Sequence, residues 1–226
     1  MYDITFISYQ EPNADDNWKA LKSRFPMAKR IHGVKGIHQA HIAAAKKCFT
    51  KMFWIVDGDA MIMDDFNFDY EVPSHQLDHV HVWRSKNPVN DLVYGYGGIK
   101  LFPRLMTVRM DTSKPDMSTS ITTKFKPMPP LANITAFNTG PFETWKSAFR
   151  ECCKLSSKTI DRQKNQETES RLQIWQTVGA DRPFGEYSIQ GAIHGTKYGE
   201  KYVQSPDDLR RINDFGWLQE QFDGNV

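Results

Sequence analysis

The segment Phe53-Trp54-Ile55-Val56-Asp57-Gly58-Asp59 constrains this chain more than any other: an apolar run stops abruptly at two carboxylates flanking a glycine. A short continuous apolar run suits a strand covered on both faces, as in a parallel sheet layered between helices. The acidic pair then stands at the carboxyl edge of the sheet, where open α/β folds hold their ligands. Side chains two apart on an extended chain share a face, about 6.6 Å between Cα atoms, and Gly58 is expected to let the backbone curl so that the carboxylates converge. Converging anions repel unless a cation joins them. Oxygen-only ligands suit Mg2+ or Mn2+, which keep open positions for phosphate oxygens. The chemical reading is a divalent ion bridging Asp57 and Asp59 to a diphosphate; a plain strand-ending turn is the alternative.

The rest of the chain supplies a setting for that strand. Ile4-Thr5-Phe6-Ile7-Ser8-Tyr9 is β-branched and aromatic and ends in Gln10-Glu11-Pro12-Asn13, which predicts a strand entering a loop. Trp18, Leu21 and Phe25 recur at helical spacing, with Asn13 or Asp15 as N-cap and Pro26 as a stop. Ile37, Ala40, Ala44 and Cys48 mark a second helix after Gly33 and Gly36, so the first sixty residues read as βα units. Residues 80–83 and 99–102 read as strands separated by Tyr94-Gly95-Tyr96-Gly97-Gly98, and 103–130, with five prolines, as loop or edge structure. A strand at 134–137 leads to a helix that begins at Pro141 and carries Phe142, Trp145, Phe149 and Cys152 on one face. Residues 161–170 read as polar and exposed, followed by a helix with Leu172, Trp175 and Val178 that Gly179 ends. The alternation predicts an α/β fold, one domain over 1–226, with a mainly parallel central sheet flanked by helices.

Composition narrows the function classes without choosing one. With 39% hydrophobic and 25% charged residues in 226, the chain can bury a sizeable core. Its net charge of +2 and pI of 8.3 permit contact with phosphates but fall short of the pI above about 9 of dedicated nucleic-acid domains. No run approaches the roughly 18 apolar residues of a membrane span, and Met1 to Ser8 lacks a basic leader, so the expected location is the cytoplasm, away from membranes. Cys48, Cys152 and Cys153 have neither disulfide-framework nor metal-finger spacing and read as buried, reduced thiols.

On the acidic pair and its strand, the sequence resembles the nucleotide-sugar glycosyltransferases of the A-type fold, whose signature is an Asp-x-Asp at the end of a central strand. The likeness follows the pattern of residues 2–200. It implies a single glycosyltransferase domain, with 1–100 as the nucleotide-sugar half and 101–226 as the acceptor half. It also implies base and ribose contacts from Ser8, Tyr9 and Glu11, and further donor contacts from Lys35 and His38 within 33–40. Phe137-Asn138-Thr139-Gly140, the element from Glu186 to Gln190, and His194-Gly195-Thr196-Lys197 resemble the retaining glycogenin-like and lipopolysaccharide galactosyltransferase-like branches. From that likeness Asn138 and Gln190 meet the donor, Glu186 meets the sugar or assists proton transfer, His194 joins the metal from a glycine-flanked loop, and Lys197 meets phosphate.

A more specific likeness, over nearly the whole chain, is to small glycosyltransferase-like proteins of T-even-type and marine bacteriophages. It is carried by Tyr2-Asp3-Ile4-Thr5-Phe6-Ile7-Ser8-Tyr9-Gln10-Glu11-Pro12, by residues 53–59 and by Val82-Trp83-Arg84-Ser85-Lys86-Asn87-Pro88. The resemblance implies a UDP-linked donor, Mn2+ or Mg2+ as cofactor, and the host cytoplasm. It further implies hydroxylated or hydroxymethylated cytosine in duplex DNA as one acceptor. Tyr94, Tyr96 and Gly97 suit an acceptor or sugar pocket, because glycine permits close backbone approach and tyrosines stack on sugars or bases, with a hairpin or bulge as the alternative. Arg84 suits contact with acceptor phosphates if DNA is the substrate. A glycan or other non-DNA acceptor, a haloacid dehalogenase-type phosphatase, and a non-catalytic nucleotide-sugar-binding module are the alternatives. The phosphatase reading sits poorly with Met61, where that class places Thr or Val, and with two βα units ahead of the motif. Oligomeric state is not readable from the sequence.

Overall fold

The structure, a computed structural model, describes residues 1–159 and 165–224; of the stretch expected to be polar and exposed, 161–164 lies outside the described residues. The chain sorts into two compact units, one of residues 1–87, 93–112 and 117–136, the other of 88–92, 113–116 and 137–226.

The first unit is built in the order β1 (Asp3–Ser8), α1 (Ala14–Arg24), β2 (Lys29–His32), α2 (Ile37–Lys47), β3 (Met52–Asp57), β4 (Ala60–Ile62), a 3₁₀ turn (Ser74–Gln76), β5 (Val80–Lys86), β6 (Val93–Tyr94), β7 (Ile99–Pro103), α3 (Arg104–Val108), α4 (Met117–Ile121) and β8 (Phe125–Thr135). The strands form one sheet in the order β2-β1-β3-β7-β5-β8-β4, with β6 beside β5. The α/β fold is present, and the first sixty residues are the expected βα units. The sheet is mixed rather than mainly parallel. β1 pairs β2 and β3 in parallel and β5 pairs β8 in parallel, but β7 runs antiparallel between β3 and β5, as do β4 against β8 and β6 against β5. A parallel neighbour needs a crossover, usually helical. Residues 87–98, between β5 and β7, hold only the short β6, so the chain returns antiparallel.

β3 explains why its sequence is apolar throughout. Phe53 and Ile55 pack with Ala44, Ala45 and Cys48 on one face, while Met52, Trp54 and Val56 pack with Leu21, Phe66, Phe68 and Trp83 on the other. All five strand residues have no exposed surface. Each such burial contributes about 1.5–3 kcal/mol. The loop before β3 is tied to β1, because the Asp3 carboxylate accepts the N–H groups of Phe49 (2.6 Å) and Thr50 (3.0 Å) and pairs with Lys29. Burial pushes the Asp3 pKa up, but Lys29 and these N–H groups outweigh it and bring it down to about 2.

Two elements differ from the sequence reading. β2, unexpected, is an edge strand whose charges suit that place; Lys29 pairs with Asp3 and Arg30 with Asp15. β8 runs straight through Pro127, Pro129 and Pro130, where loop or edge structure was expected. Its pairing with β5 shifts register on both sides of Arg84, and β4 covers only Asn133–Thr135, so the prolines fall where irregular or one-sided pairing tolerates a missing N–H.

The second unit contains α5 (Pro141–Ser156), α6 (Asn165–Thr177), α7 (Gly185–Lys201), α8 (Pro206–Arg210), a 3₁₀ turn (Arg211–Asn213) and α9 (Phe215–Asp223). α5 begins at Pro141 and buries Trp145, Phe149 and Cys152, as its spacing predicts. Val178 falls beyond the end of α6 and is exposed. The glycine-flanked loop expected around His194 is instead the middle of α7. Gly191, Gly195 and Gly199 of α7 lie against the backbone of Trp145, Phe149 and Cys153 of α5; a Cβ on Gly195 would stand 2.2 Å from the Phe149 carbonyl oxygen. Four-residue spacing on both helices aligns these contacts in one seam. The three cysteines are free and buried, and burial pushes the Cys153 thiol up to about 12.

Gly195→Ala tests the seam. Alanine gains about 1 kcal/mol of helix propensity over glycine, whereas forcing a methyl into a closed contact costs about 1–3 kcal/mol. The urea midpoint of unfolding should therefore fall, and fall further for Gly195→Leu; a raised midpoint in both would show that the helices have room.

Candidate functional site

Asp57 closes β3, and Gly58 and Asp59 link it to β4. Each of the three is held through its backbone. The Asp57 N–H donates to the Gly98 carbonyl (2.9 Å), the Gly58 carbonyl accepts from Asn17 Nδ2 (2.9 Å), and the Asp59 carbonyl accepts from the Ala136 N–H (2.8 Å). Asn13, at the expected N-cap of α1, sends its Nδ2 to the Ala136 carbonyl instead of capping. Gly98 has φ +64, and a Cβ there would meet the Asn133 side-chain amide. Asn133 is wholly buried and bonds Ser85 Oγ (3.0 Å) and Thr135 Oγ1 (3.2 Å), so a polar knot at the ends of β5 and β8 supports the residue that holds Asp57.

Gly58 serves closeness rather than curvature. Its φ is not in the left-handed region, but a Cβ would stand 2.7 Å from Glu11 Oε2 and 3.2 Å from the Ile7 carbonyl. The missing side chain thus admits Glu11, whose Oε2 also accepts the Tyr9 N–H at 2.7 Å. Burial first, then the like charges of Asp57 and Glu11, push the Asp59 carboxyl up to about 7. Asp59 keeps some accessible surface, but protein atoms crowd its carboxylate, and crowding governs the cost of charging it.

Two further groups complete the electrostatics. Lys100 Nζ lies 3.6 Å from Asp57 Oδ2, with 14% of the lysine side chain and 33% of the aspartate side chain exposed. His41 of α2 is buried and its ring packs against Phe102. Its Nδ1, 2.8 Å from the Ile37 carbonyl, must carry the proton because that oxygen can only accept. Burial brings the His41 pKa down to about 4, against the field of Asp57, so the ring is neutral at neutral pH. Neither residue was anticipated. Lys100 leaves a trace in the sequence as the lone charge in Ile99-Lys100-Leu101-Phe102, but its relevance follows from register: it pairs across from Ile55, which shares a strand face with Asp57.

Three carboxylates in mutual electrostatic contact against one ammonium leave a deficit that a divalent cation would answer. Among the described residues, no three His, Cys, Asp or Glu side chains converge as a ready ligand cage. Two of these carboxylates, on Asp57 and Asp59, stand two residues apart where β3 passes into β4. Two carboxylates leave most of an octahedral shell to water and phosphate oxygens, the habit of Mg2+.

The other expected site residues are distributed as follows. Ser8 is buried, with Oγ 3.0 Å from His32 Nδ1 and accepting from Arg30 Nε. Tyr9 is partly exposed and Lys35 exposed, while His38 is buried with Nε2 3.1 Å from Ser120 Oγ. The rings of Tyr94 and Tyr96 stack on each other at 4.7 Å, Gly97 packs on Thr135, and Arg84 is exposed. In the second unit Asn138 is partly exposed ahead of α5, while Glu186, Gln190 and Lys197 are exposed along α7. His194 accepts from Trp145 Nε1 through Nδ1 at 3.2 Å, and burial lowers its pKa. A cavity of about 310 Å³ lined by Phe49, Lys51, Leu77, Pro103, Arg104, Leu105 and Met106 lies by the start of β3, at the opposite end of the strand from Asp57, and has no carboxylate in its lining. Among the described residues no helix is long and apolar enough to cross a membrane.

No protein-family model matches the chain, and no curated protein is similar to it in sequence. In structure the chain is similar to the mannosyltransferase PcManGT from Pyrobaculum calidifontis in complex with GDP-Man and Mn2+, with a TM-score of 0.43 and 9% identity, over 99% of this chain and 90% of that one.

The raised Asp59 carboxyl predicts a pH dependence of stability. Between its ordinary 3.8 and about 7, the folded protein keeps a proton that the unfolded chain has lost, so this group's contribution falls as pH rises through that window. In EDTA, the drop in Tm from about pH 5 to about pH 8 should be larger for the parent protein than for Asp59→Asn. Equal drops would mean that Asp59 is not crowded as described.

Proposed function

We propose that the chain is a metal-dependent glycosyltransferase, which holds a nucleoside-diphosphate sugar through a divalent cation on Asp57 and Asp59 and passes the sugar to an acceptor hydroxyl. The observation that carries this reading is the pair of carboxylates at the end of a buried apolar run, where burial first and then the like charges of Asp57 and Glu11 raise Asp59 to about 7. Bound Mn2+ or Mg2+ would supply Lewis-acid stabilisation of the charge that grows on the leaving diphosphate, worth several kcal/mol.

The chain's own groups have definable tasks in that reaction. Asp57 and Asp59 would hold the cation, and the hydrogen bonds of their link to Gly98, Asn17 and Ala136 fix its backbone. Glu11 keeps the local field negative, so that a cation is favoured there. Tyr9, just past the end of the neighbouring β1, is partly exposed and is proposed to meet the nucleoside above the buried Ser8, and Lys35 is an exposed cation available to phosphate. The anomeric carbon exchanges its bond to a phosphate oxygen for one to the acceptor oxygen, whose proton must leave. Within the second unit Glu186 is an exposed carboxylate proposed to assist proton transfer, with the partly exposed Asn138 and the exposed Gln190 and Lys197 proposed as donor contacts.

The finer proposal is a UDP-linked donor and hydroxylated or hydroxymethylated cytosine in duplex DNA as acceptor, in the cytoplasm of a phage host. This is what the resemblance to bacteriophage proteins implies, and the exposure of Arg84 leaves its charge open to acceptor phosphates.

Incubation with UDP- and GDP-sugars plus Mn2+ should release nucleoside diphosphate. Mass spectrometry should then find a sugar-sized gain on hydroxymethylcytosine DNA and none on unmodified DNA. Asp57→Ala and Asp59→Ala should each lose at least about 100-fold in turnover, because each 1.4 kcal/mol is tenfold and the ion supplies several. Near-parental turnover in either variant, or release of inorganic phosphate from a phosphomonoester in place of these products, would refute the reading.

A further inference from the structure

The ammonium of Lys100 stands against one of the two carboxylates proposed to hold a cation. It approaches Asp57 Oδ2 to 3.6 Å, it is 14% exposed on β7, and its charge is also felt by Asp59 and His41. The groups that face it are therefore two carboxylates, with Glu11 behind Gly58 as a third, and one neutral imidazole. A lysine placed merely to solubilise the fold would point to water. This one stands beneath a strand end, on the same face as Ile55, where the neighbouring side chains are apolar.

We propose that Lys100 is the built-in counter-ion of the acidic pair and couples divalent-ion binding to diphosphate binding; the inference rests on the glycosyltransferase reading and adds a regulation to the same site. A divalent ion arriving alone must share Asp57 with an ammonium and suffers like-charge repulsion from it. A diphosphate brings its own negative charge, and the four-carbon stem of a lysine lets the ammonium follow that charge while the ion keeps the carboxylates. Ion and diphosphate therefore bind better together than either does alone. Lys100 is a positioning residue in this scheme, acting through charge on the groups that hold the donor.

The test compares the parent protein, Lys100→Met and Lys100→Arg, all full-length and checked for native far-UV circular dichroism. Free Mn2+ is followed by electron paramagnetic resonance, and UDP and GDP binding by calorimetry at saturating Mn2+. Removing the ammonium should tighten Mn2+ binding in the absence of nucleotide by about 5–20-fold, and weaken UDP or GDP binding by a similar factor, the usual span of a coupling between sites. Lys100→Arg, which keeps the charge, should stay near the parent in both. A neutral substitution that merely loosened the fold would weaken both ligands, so the opposite signs are the signature. Should Lys100→Met not fold, Lys100→Gln carries the same comparison. Unchanged Mn2+ affinity, or nucleotide affinity that does not fall, overturns the role of Lys100 while leaving the metal site standing. Failure of every folded variant to bind Mn2+, with or without nucleotide, removes the glycosyltransferase reading itself.

Discussion

Between Val56 and Asp57 the chain passes in one residue from complete burial to a side chain one-third exposed. Everything chemical in the first unit depends on that step. Because β3 is covered on both faces, an ionisable group can stand only at its ends. At the leading end Asp3 collects N–H groups and Lys29, which satisfies its charge and lowers its pKa. At the trailing end the acids find fewer partners: Asp59 is crowded and raised, and Asp57 faces a single ammonium. Two carboxylates near one strand's ends thus depart from their ordinary pKa in opposite directions. The difference lies in what surrounds them.

Periodicity made much of the first unit legible. β1, α1, α2 and β3, with parts of β5 and β7, follow apolar spacing, and α5 follows a proline at its first turn. β2 was not legible because Lys29-Arg30-Ile31-His32 has no apolar alternation; it is a strand by virtue of pairing with β1. β8 was obscured by its prolines, whose missing N–H groups matter only where a partner strand requires them, and here the partner is irregular or absent. The direction of β7 was invisible for another reason. Strand propensity is the same for both directions, and only the helix-free link before it decides.

The candidate site divides along the same line. Asp57 and Asp59 announce themselves because a local pattern holds both. Lys100 and His41 come from other elements, and their contribution is fixed by register and by helix packing on one sheet face. Glu11 lies between these cases. Its place in the loop after β1 can be read, whereas its approach to Gly58 depends on the fold that brings that loop over the acidic link. The residues of α7 show the reverse hazard. Glycines that suggest a ligand-binding loop in sequence are explained by the close passage of α5, and His194 already has Trp145 as a partner.

α7 also separates two kinds of demand on one helix. At 100° per residue, Glu186, Gln190 and Lys197 fall within a narrow arc, and Gly191, Gly195 and Gly199 fall roughly opposite. The inner side tolerates no added atom, whereas the outer side is a row of solvated polar tips on a rigid rod. Substitutions along that outer row therefore leave the course of the backbone beneath untouched, whereas any side chain at Gly191, Gly195 or Gly199 must displace α5, so freedom and constraint alternate within seventeen consecutive residues.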